Sequence, residues 1–276
     1  MSVLSVAGMT TASPPAYSSI DLRIEDGIAH LTLNRPDARN GLTQDMGLEL
    51  VDAIGRIGED RSARAVLLTG AGQAFSVGAD LKTPVSKLSE TGRPDLEWVL
   101  RDIYNPIVRG LRTIPQPVVA AVNGAAVGVA VAMALAADLV VASEDAYFLM
   151  SFVSIGLVPD GGATALIPAR AGHARAAEMM LLGERVPADK ALAWGLVNDV
   201  VPDAELAGHA QRLAARIAAG PPTAQAAIKQ MLGATFGEEL EGAFEAEAVA
   251  QGVQAEGAEM VEGIMAFLQK RTPRFE

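Results

Sequence analysis

The stretch from Val118 to Ala137 most constrains what this chain can become. Val118–Val122 reads as a buried strand that runs into a tight turn at Asn123-Gly124. After Gly128 come Val129-Ala-Val-Ala-Met-Ala-Leu-Ala-Ala137, nine residues without a polar side chain. The run is rich in alanine, uncharged and too short to span a bilayer, so the spacing predicts a fully buried helix. No Ser, Thr, Asp or Asn caps its start, so its first N–H groups lack local partners. Free donors there favour an anion, or a carbonyl oxygen that is becoming one. That is half of an oxyanion hole. The alternative is a plain strand, a glycine turn and a core helix.

Length and charge set the limits around this stretch. The chain has 276 residues, which suits one large domain or a domain with an appendage. Half of the residues are hydrophobic, enough for a sizeable core. No apolar run reaches the ~20 residues that cross a membrane. Ser2–Ser19 carries no Lys or Arg, which argues against a signal or transit peptide. Residues 1–18 are expected to be a disordered tail, bounded by Pro14-Pro15. There is no cysteine, so disulfides, thiolate metal sites and cysteine nucleophiles are excluded. A cytoplasmic location fits that usage. A net charge of −11 argues against nucleic acid or an anionic membrane as partner. It leaves room for a phosphorylated small ligand, because screening over ~8 Å lets a local basic cluster act alone. His30, His173 and His209 lie far apart and read as surface or satisfied histidines.

The remaining chain reads as an α/β core followed by helices. Ile20–Glu25 and Ile28–Leu33 flank Asp26-Gly27, a hairpin signal. Thr43 can cap a helix to about Gly58. Ala65–Thr69 is a buried strand, and the following Gly70-Ala-Gly72 lacks the third glycine and the helix of a dinucleotide fingerprint. Lys82–Pro94 is polar and proline-bounded, the pattern of a mobile surface loop or lid. A helix over Leu96–Leu111, strands at Asp138–Ala142 and Val197–Val201, and an irregular Ser151–Pro159 follow. Pro159-Asp160-Gly161-Gly162 is a turn into a helix. The expected division is a tail (1–18), an α/β core (19–200) and a helical C-terminal region (201–276). Gly78-Ala79-Asp80 and Gly128-Val129 each follow extended chain, and each can offer a backbone N–H to one ligand oxygen. Two such donors are what enolate chemistry on a thioester requires, each worth roughly 3 kcal/mol.

Six motifs in register carry a resemblance. Asn34-Arg-Pro36 with Asn40, Phe75-Ser-Val-Gly-Ala-Asp-Leu81, Ala121-Val-Asn-Gly124, Gly156-Leu-Val-Pro-Asp-Gly-Gly162, Ala193-Trp-Gly-Leu-Val197 and Glu262-Gly-Ile-Met-Ala-Phe-Leu-Gln-Lys-Arg271 are similar to those of the enoyl-CoA hydratase/isomerase (crotonase) superfamily. The resemblance implies a spiral of ββα units with a helical trimerisation region, trimers or paired trimers, and acyl-CoA thioester substrates. It implies no cofactor beyond the coenzyme A of the substrate. By position it puts the oxyanion donors on the Ala79 and Val129 N–H groups, with Gly78 and Gly128 keeping the approach open.

The departures from the family pattern bear on the reaction. The two glutamates of the family's hydratases would fall at Ala132 and Phe152, neither of which titrates. Hydration needs one group to deprotonate water and another to supply a proton. The carboxylate that remains is Asp160. Phe148-Leu-Met-Ser-Phe-Val-Ser-Ile-Gly-Leu-Val-Pro-Asp160 looks closest to phenylacetate-pathway isomerases acting on epoxyphenylacetyl-CoA. A single base suits a 1,3-proton shift. Phe148, Phe152 and Leu157 are expected to wall the site and raise the Asp160 pKa. The alternative is that Asp160 caps the next helix. Asp80 and Asp138 are expected to be structural. For the nucleotide of CoA the resemblance points to Arg39, Phe267, Lys270 and Arg271, with Asp37 working against it; a cationic helix end explains the last two equally well. The resulting expectation is an acyl-CoA isomerase. A hydratase of fatty-acid oxidation and a catalytically silent acyl-CoA-binding homologue are the alternatives.

Overall fold

In the computed structural model, which describes residues 17–275, Asp26 and Gly27 take φ of 51° and 78° and close a two-residue hairpin. It joins β1 (Ile20–Glu25) to β2 (Ile28–Leu33), paired antiparallel with Glu25 opposite Ile28. From there the chain repeats one unit: a long strand, a short strand, then helix. The long strands are β3 (Ala65–Gly70), β5 (Val118–Val122) and β7 (Leu139–Ser143). The short ones are β4 (Ala74–Ser76), β6 (Ala125–Val127) and β8 (Tyr147–Leu149). The long strands extend β2 into a six-stranded sheet that ends on β10 (Asp199–Val201), in the order β1-β2-β3-β5-β7-β10. The short ones form a second sheet with β9 (Arg185–Pro187), in the order β4-β6-β8-β9. Successive units therefore step sideways in both sheets at once, which is the crotonase-like spiral.

The helices are α1 (Gln44–Glu59), α2 (Leu96–Val99), α3 (Asn105–Thr113), α4 (Val129–Leu135), α5 (Ala163–Ala171), α6 (His173–Leu182), α7 (Ala188–Ala193), α8 (Asp203–Ala218), α9 (Pro222–Ala234), α10 (Gly237–Ala255) and α11 (Ala258–Leu268). Thr43 caps α1 by accepting the Met46 N–H at 3.2 Å. Buried Met46, Leu50, Ile54 and Ile57 on α1 share the main core with α3 and α4. The other face of the large sheet is covered by α8, through Leu206, Ala210 and Ala214 against Leu67 and Val119. Leu240, Phe244 and Ala248 of α10 enter the main core, so the helical region from residue 201 shares the core of the sheets.

Three features differ from the sequence expectations. The strands of the second sheet are three residues each, too short for alternation to reveal them, and β4, β6 and β9 read as turn or loop. The helix expected over Leu96–Leu111 is interrupted by a π-type turn at Leu100–Tyr104, where the Asn105 N–H reaches back to Leu100 O. Pro106 lacks an N–H and crowds the carbonyl four residues back, so the ladder widens just before it. Finally, residues 17 and 18 do not belong to a loose tail. The Tyr17 hydroxyl donates to Asp52 (2.7 Å), and Ser18 donates to Glu49 through both its N–H (2.8 Å) and its hydroxyl (2.7 Å), because α1 presents those carboxylates to the start of the chain. The rest of the expected tail, with Pro14-Pro15, lies outside the described residues.

Lys229 fastens α9 to this core. It is 4% exposed, and its ammonium lies 3.1 Å from Asp138 and donates to Leu111 O (2.7 Å) and Gln116 O (2.9 Å). Asp138 also accepts the Val118 N–H (2.8 Å), the structural role its place in the sequence suggested. Burial pulls the Lys229 pKa down, and Asp138 pulls it back up without fully offsetting the loss. Lys229→Met should cost about 1–3 kcal/mol in urea unfolding, since it leaves a half-buried carboxylate and two carbonyls without their donor.

Candidate active site

Two backbone turns and one carboxyl come together around the start of α4. The first turn follows β4. Asn40 fixes it: its amide donates to Ala71 O and Ala74 O (2.8 Å each), and its carbonyl accepts the Ser76 hydroxyl (2.7 Å), which in turn accepts the Gly78 N–H (3.1 Å). Leu42 then bridges across, donating to Gly78 O (2.8 Å) and accepting the Asp80 N–H (2.9 Å). Successive N–H groups of extended chain point to opposite sides, so the Ala79 N–H faces away from Leu42. The second turn follows β6. Gly128 takes φ of 58° and donates to Leu149 O (2.9 Å), and Val129 opens α4. Among the described residues, neither the Ala79 nor the Val129 N–H donates a backbone hydrogen bond.

The turns touch. A Cβ placed on Gly78, which takes φ of 78°, would stand 2.5 Å from Val127 O and 3.6 Å from Gly128 Cα. Only glycine permits both that backbone and that approach. α4 itself stops at Leu135, two residues before the end of the apolar run.

Asp160 completes the constellation. It sits in a turn whose next residue packs on α4: a Cβ on Gly161 would meet Ala132 Cβ at 3.0 Å and Val129 Cγ2 at 3.2 Å. Asp160 is 4% exposed and lines a cavity of about 400 Å³. The wall includes Phe152, Leu157, Val99, Leu100, Met260 and Ile264. Among the described residues, its Oδ1 has no hydrogen-bond partner. Burial pushes the Asp160 carboxyl well above the usual carboxylate range, and the negative charge of Glu247 pushes it the same way. Asp160 does not cap α5. That task falls to Glu247 on α10, which accepts Gly162 N–H (2.6 Å), Thr164 N–H (2.8 Å) and the Thr164 hydroxyl (2.6 Å).

The other expected site residues separate. Phe152 and Leu157 line the cavity. Phe148 does not: it is fully buried in the core, because the pleat of β8 turns Tyr147 and Leu149 toward a second cavity and Phe148 away from it. This second cavity, about 570 Å³, is lined by Arg39, Lys82, Phe267 and Arg271. Ala79, Asp80, Leu81 and Ile155 line both cavities, so the two meet at the Ala79 turn. Lys270 lies off that wall, since α11 ends at Leu268 and Lys270 turns away at φ of 54°. Arg271 lies on it and pairs with Glu262. Gly128 lies against the Phe152 ring, whose Cζ would be 3.5 Å from a Gly128 Cβ, and neither Gly128 nor buried Val129 is on the lining of either cavity.

Other features of the site were missed or only partly read from the sequence. Thr83, Pro84, Val85 and Pro94 of the expected lid line the first cavity. Asp80 is the structural residue expected: it lies 3.1 Å from Arg35 and accepts the Lys82 N–H (3.1 Å). Burial opposes its ionisation, but those partners outweigh it and hold its carboxyl below the usual range. Tyr104 and Gln251 line the cavity without having been foreseen. Glu247, Gln251 and Tyr104 sit in helical stretches where spacing marks only a buried face. The contacts of Glu247 and Gln251 with the Asp160 segment span 85 and 93 residues, and no local signal reports them.

Comparison with known proteins agrees with this fold. The family model described as "Enoyl-CoA hydratase/isomerase" matches residues 23–276. A probable enoyl-CoA hydratase of Rhodobacter capsulatus is 40% identical, over 94% of this chain and 98% of the relative. The 1,2-epoxyphenylacetyl-CoA isomerase of Escherichia coli is 39% identical, over 91% and 96%. The crystal structure of an enoyl-CoA hydratase from Mycobacterium avium subsp. paratuberculosis superposes with a TM-score of 0.86 at 39% identity, covering 95% of this chain and all of that one. With this spiral fold and a match along nearly its whole length, the chain belongs to the enoyl-CoA hydratase/isomerase family.

Proposed function

We propose that the chain is an acyl-CoA isomerase in which Asp160 carries a proton between two carbons of an acyl thioester. The observation that carries this reading is the buried Asp160 carboxyl in a largely apolar cavity, with no partner for Oδ1 among the described residues. The thioester oxygen would lie between the Ala79 and Val129 N–H groups. The acyl chain would fill the first cavity and the CoA the second, beside Arg39, Phe267 and Arg271. Asp160 removes a proton from the carbon next to the carbonyl, and the charge moves to the oxygen held by the two donors. As the enolate collapses, the double bond moves one carbon toward the thioester and Asp160 returns the proton to the far end. No other reactant enters and no oxidation state changes. A ring-epoxide substrate uses the same enolate logic and remains inside this proposal.

The name of the Rhodobacter capsulatus relative favours hydration as the second reading. The cavity opposes it. Its ionisable lining residues among those described are Asp160, Tyr104 and Asp80, and Asp80 is held by Arg35. At the places where the resemblance puts the hydratase carboxylates stand Ala132 and Phe152. With a 3-enoyl-CoA and crotonyl-CoA assayed side by side, isomerisation should exceed hydration by about 100-fold, the order of one missing general acid–base group. Faster hydration than isomerisation would remove the isomerase reading.

We also infer self-association as a trimer or paired trimers. Exposed Val253 on α10 and Val261, Met265 and Leu268 on α11 supply apolar surface for it. Light scattering should give three or six copies per particle; a monomer would end this inference.

A further inference from the structure

We propose that Glu247 is a positioning residue for the Asp160 carboxyl, acting with Gln251 to brace both sides of its turn from α10. The inference rests on Asp160 being the proton carrier. The two braces are one helical turn apart on α10, and both are buried, 3% and 2% exposed. Gln251 accepts the Val158 N–H at 3.0 Å, two residues before Asp160. Glu247 accepts the Gly162 N–H at 2.6 Å, two residues after it, and both donors of Thr164. Between these anchors the carboxyl receives no hydrogen bond of its own on Oδ1. Its place is therefore set by the backbone on either side, and that backbone is held by α10.

Both Glu247 oxygens accept hydrogen bonds, and their three donors are two N–H groups and a hydroxyl, the pattern of an ionised carboxylate at a helix N-terminus. Burial nevertheless raises the Glu247 pKa, and the donated hydrogen bonds only partly oppose that. The ionisable group that acts on Asp160 is Glu247 from α10, and Asp160 in turn helps to raise the pKa of buried Tyr104 in the π-type turn. α4 carries no ionisable residue, and Val129 and Ala132 of α4 with Val108 of α3 lie nearest Gly161. Glu247 is thus the nearby charge that makes the Asp160 carboxylate a stronger base for the substrate proton. This division of labour frees Asp160 from capping α5.

The test follows Asp160 directly and through turnover. Infrared titration of the intact protein gives the protonated-carboxyl C=O band that disappears in Asp160→Asn. In Glu247→Gln that band should titrate about one pH unit lower, because the negative neighbour is gone. The acid limb of kcat/KM for a 3-enoyl-CoA should move with it, and kcat should fall about tenfold with KM within about twofold. Glu247→Asp keeps the charge and shortens the reach, so the band should stay in place while kcat falls. If Glu247→Gln folds and its Asp160 band is unmoved, Glu247 only caps α5 and the proposal is wrong. If Glu247→Gln does not fold, wild-type kcat in Glu247→Asp overturns the proposal. Failure of the underlying reading looks different: turnover would survive in Asp160→Asn whatever the Glu247 variants do.

Discussion

Asp160→Asn should make the protein more stable at neutral pH and almost inactive. In the wild type, folding takes a carboxyl out of water and sets it beside buried Glu247 without a donor for Oδ1. The folded state therefore holds its proton more tightly than the unfolded chain, whose aspartate titrates near ~3.9. For a pKa raised on folding, the stability is fully present below the unfolded value and is lost as pH rises through the folded one. Ionised Asp160 thus weakens the fold from about pH 4 upward. Asparagine has nearly the same shape and no charge to bury. Its gain should be near zero at pH 4 and grow with pH to about 1–3 kcal/mol, the scale of an unsatisfied buried polar group. Urea unfolding at a series of pH values reads that slope. A variant less stable than wild type at every pH would mean that Asp160 is a structural acceptor. The same substitution should lower isomerase kcat by about 10²–10⁴, the range for a lost general base. Stability gained and activity lost together mark a residue kept for chemistry.

Gly78→Ala should cost most of the activity for an unrelated reason. Its added methyl meets the Val127 carbonyl at 2.5 Å, and the residue would have to hold φ of 78°. The two turns must separate, and with them the Ala79 and Val129 N–H groups. Loss of one donor from such a pair costs about 10²–10³ in kcat. The strained backbone adds about 1–3 kcal/mol against folding. Thermal unfolding and kcat measured on the same sample separate the two effects. Near-normal kcat would show that the oxygen is not held between these turns.

How far the sequence could be read followed the range of each interaction. The hairpin at Asp26-Gly27, the Thr43 cap on α1 and the buried strand β5 are written in neighbouring residues, and they stand where spacing put them. The two glycine turns were legible as turns. That they touch depends on the pairing of β4 with β6, three residues each, which no periodicity announces. Asp160 stood out because the places where glutamates were expected hold Ala132 and Phe152. Its competing role as a helix cap was settled only by Glu247, a residue in a run of glutamates that reads as a solvated helix face. Phe148 was misassigned to the wall of the site because aromatic character says nothing about which face of a short strand it occupies. Lys270 and Arg271 are adjacent in sequence, but only the backbone turn after α11 decides which one reaches the second cavity.

The central claim is that Asp160 moves the proton. Its most direct test is to incubate the protein with a 3-enoyl-CoA and follow the conjugated 2-enoyl thioester by ultraviolet absorbance, beside Asp160→Ala. The wild type should convert the substrate, with an acid limb in kcat/KM above the ordinary carboxylate range, and the variant should not, while still binding CoA ligands. Equal conversion by both proteins would contradict the claim.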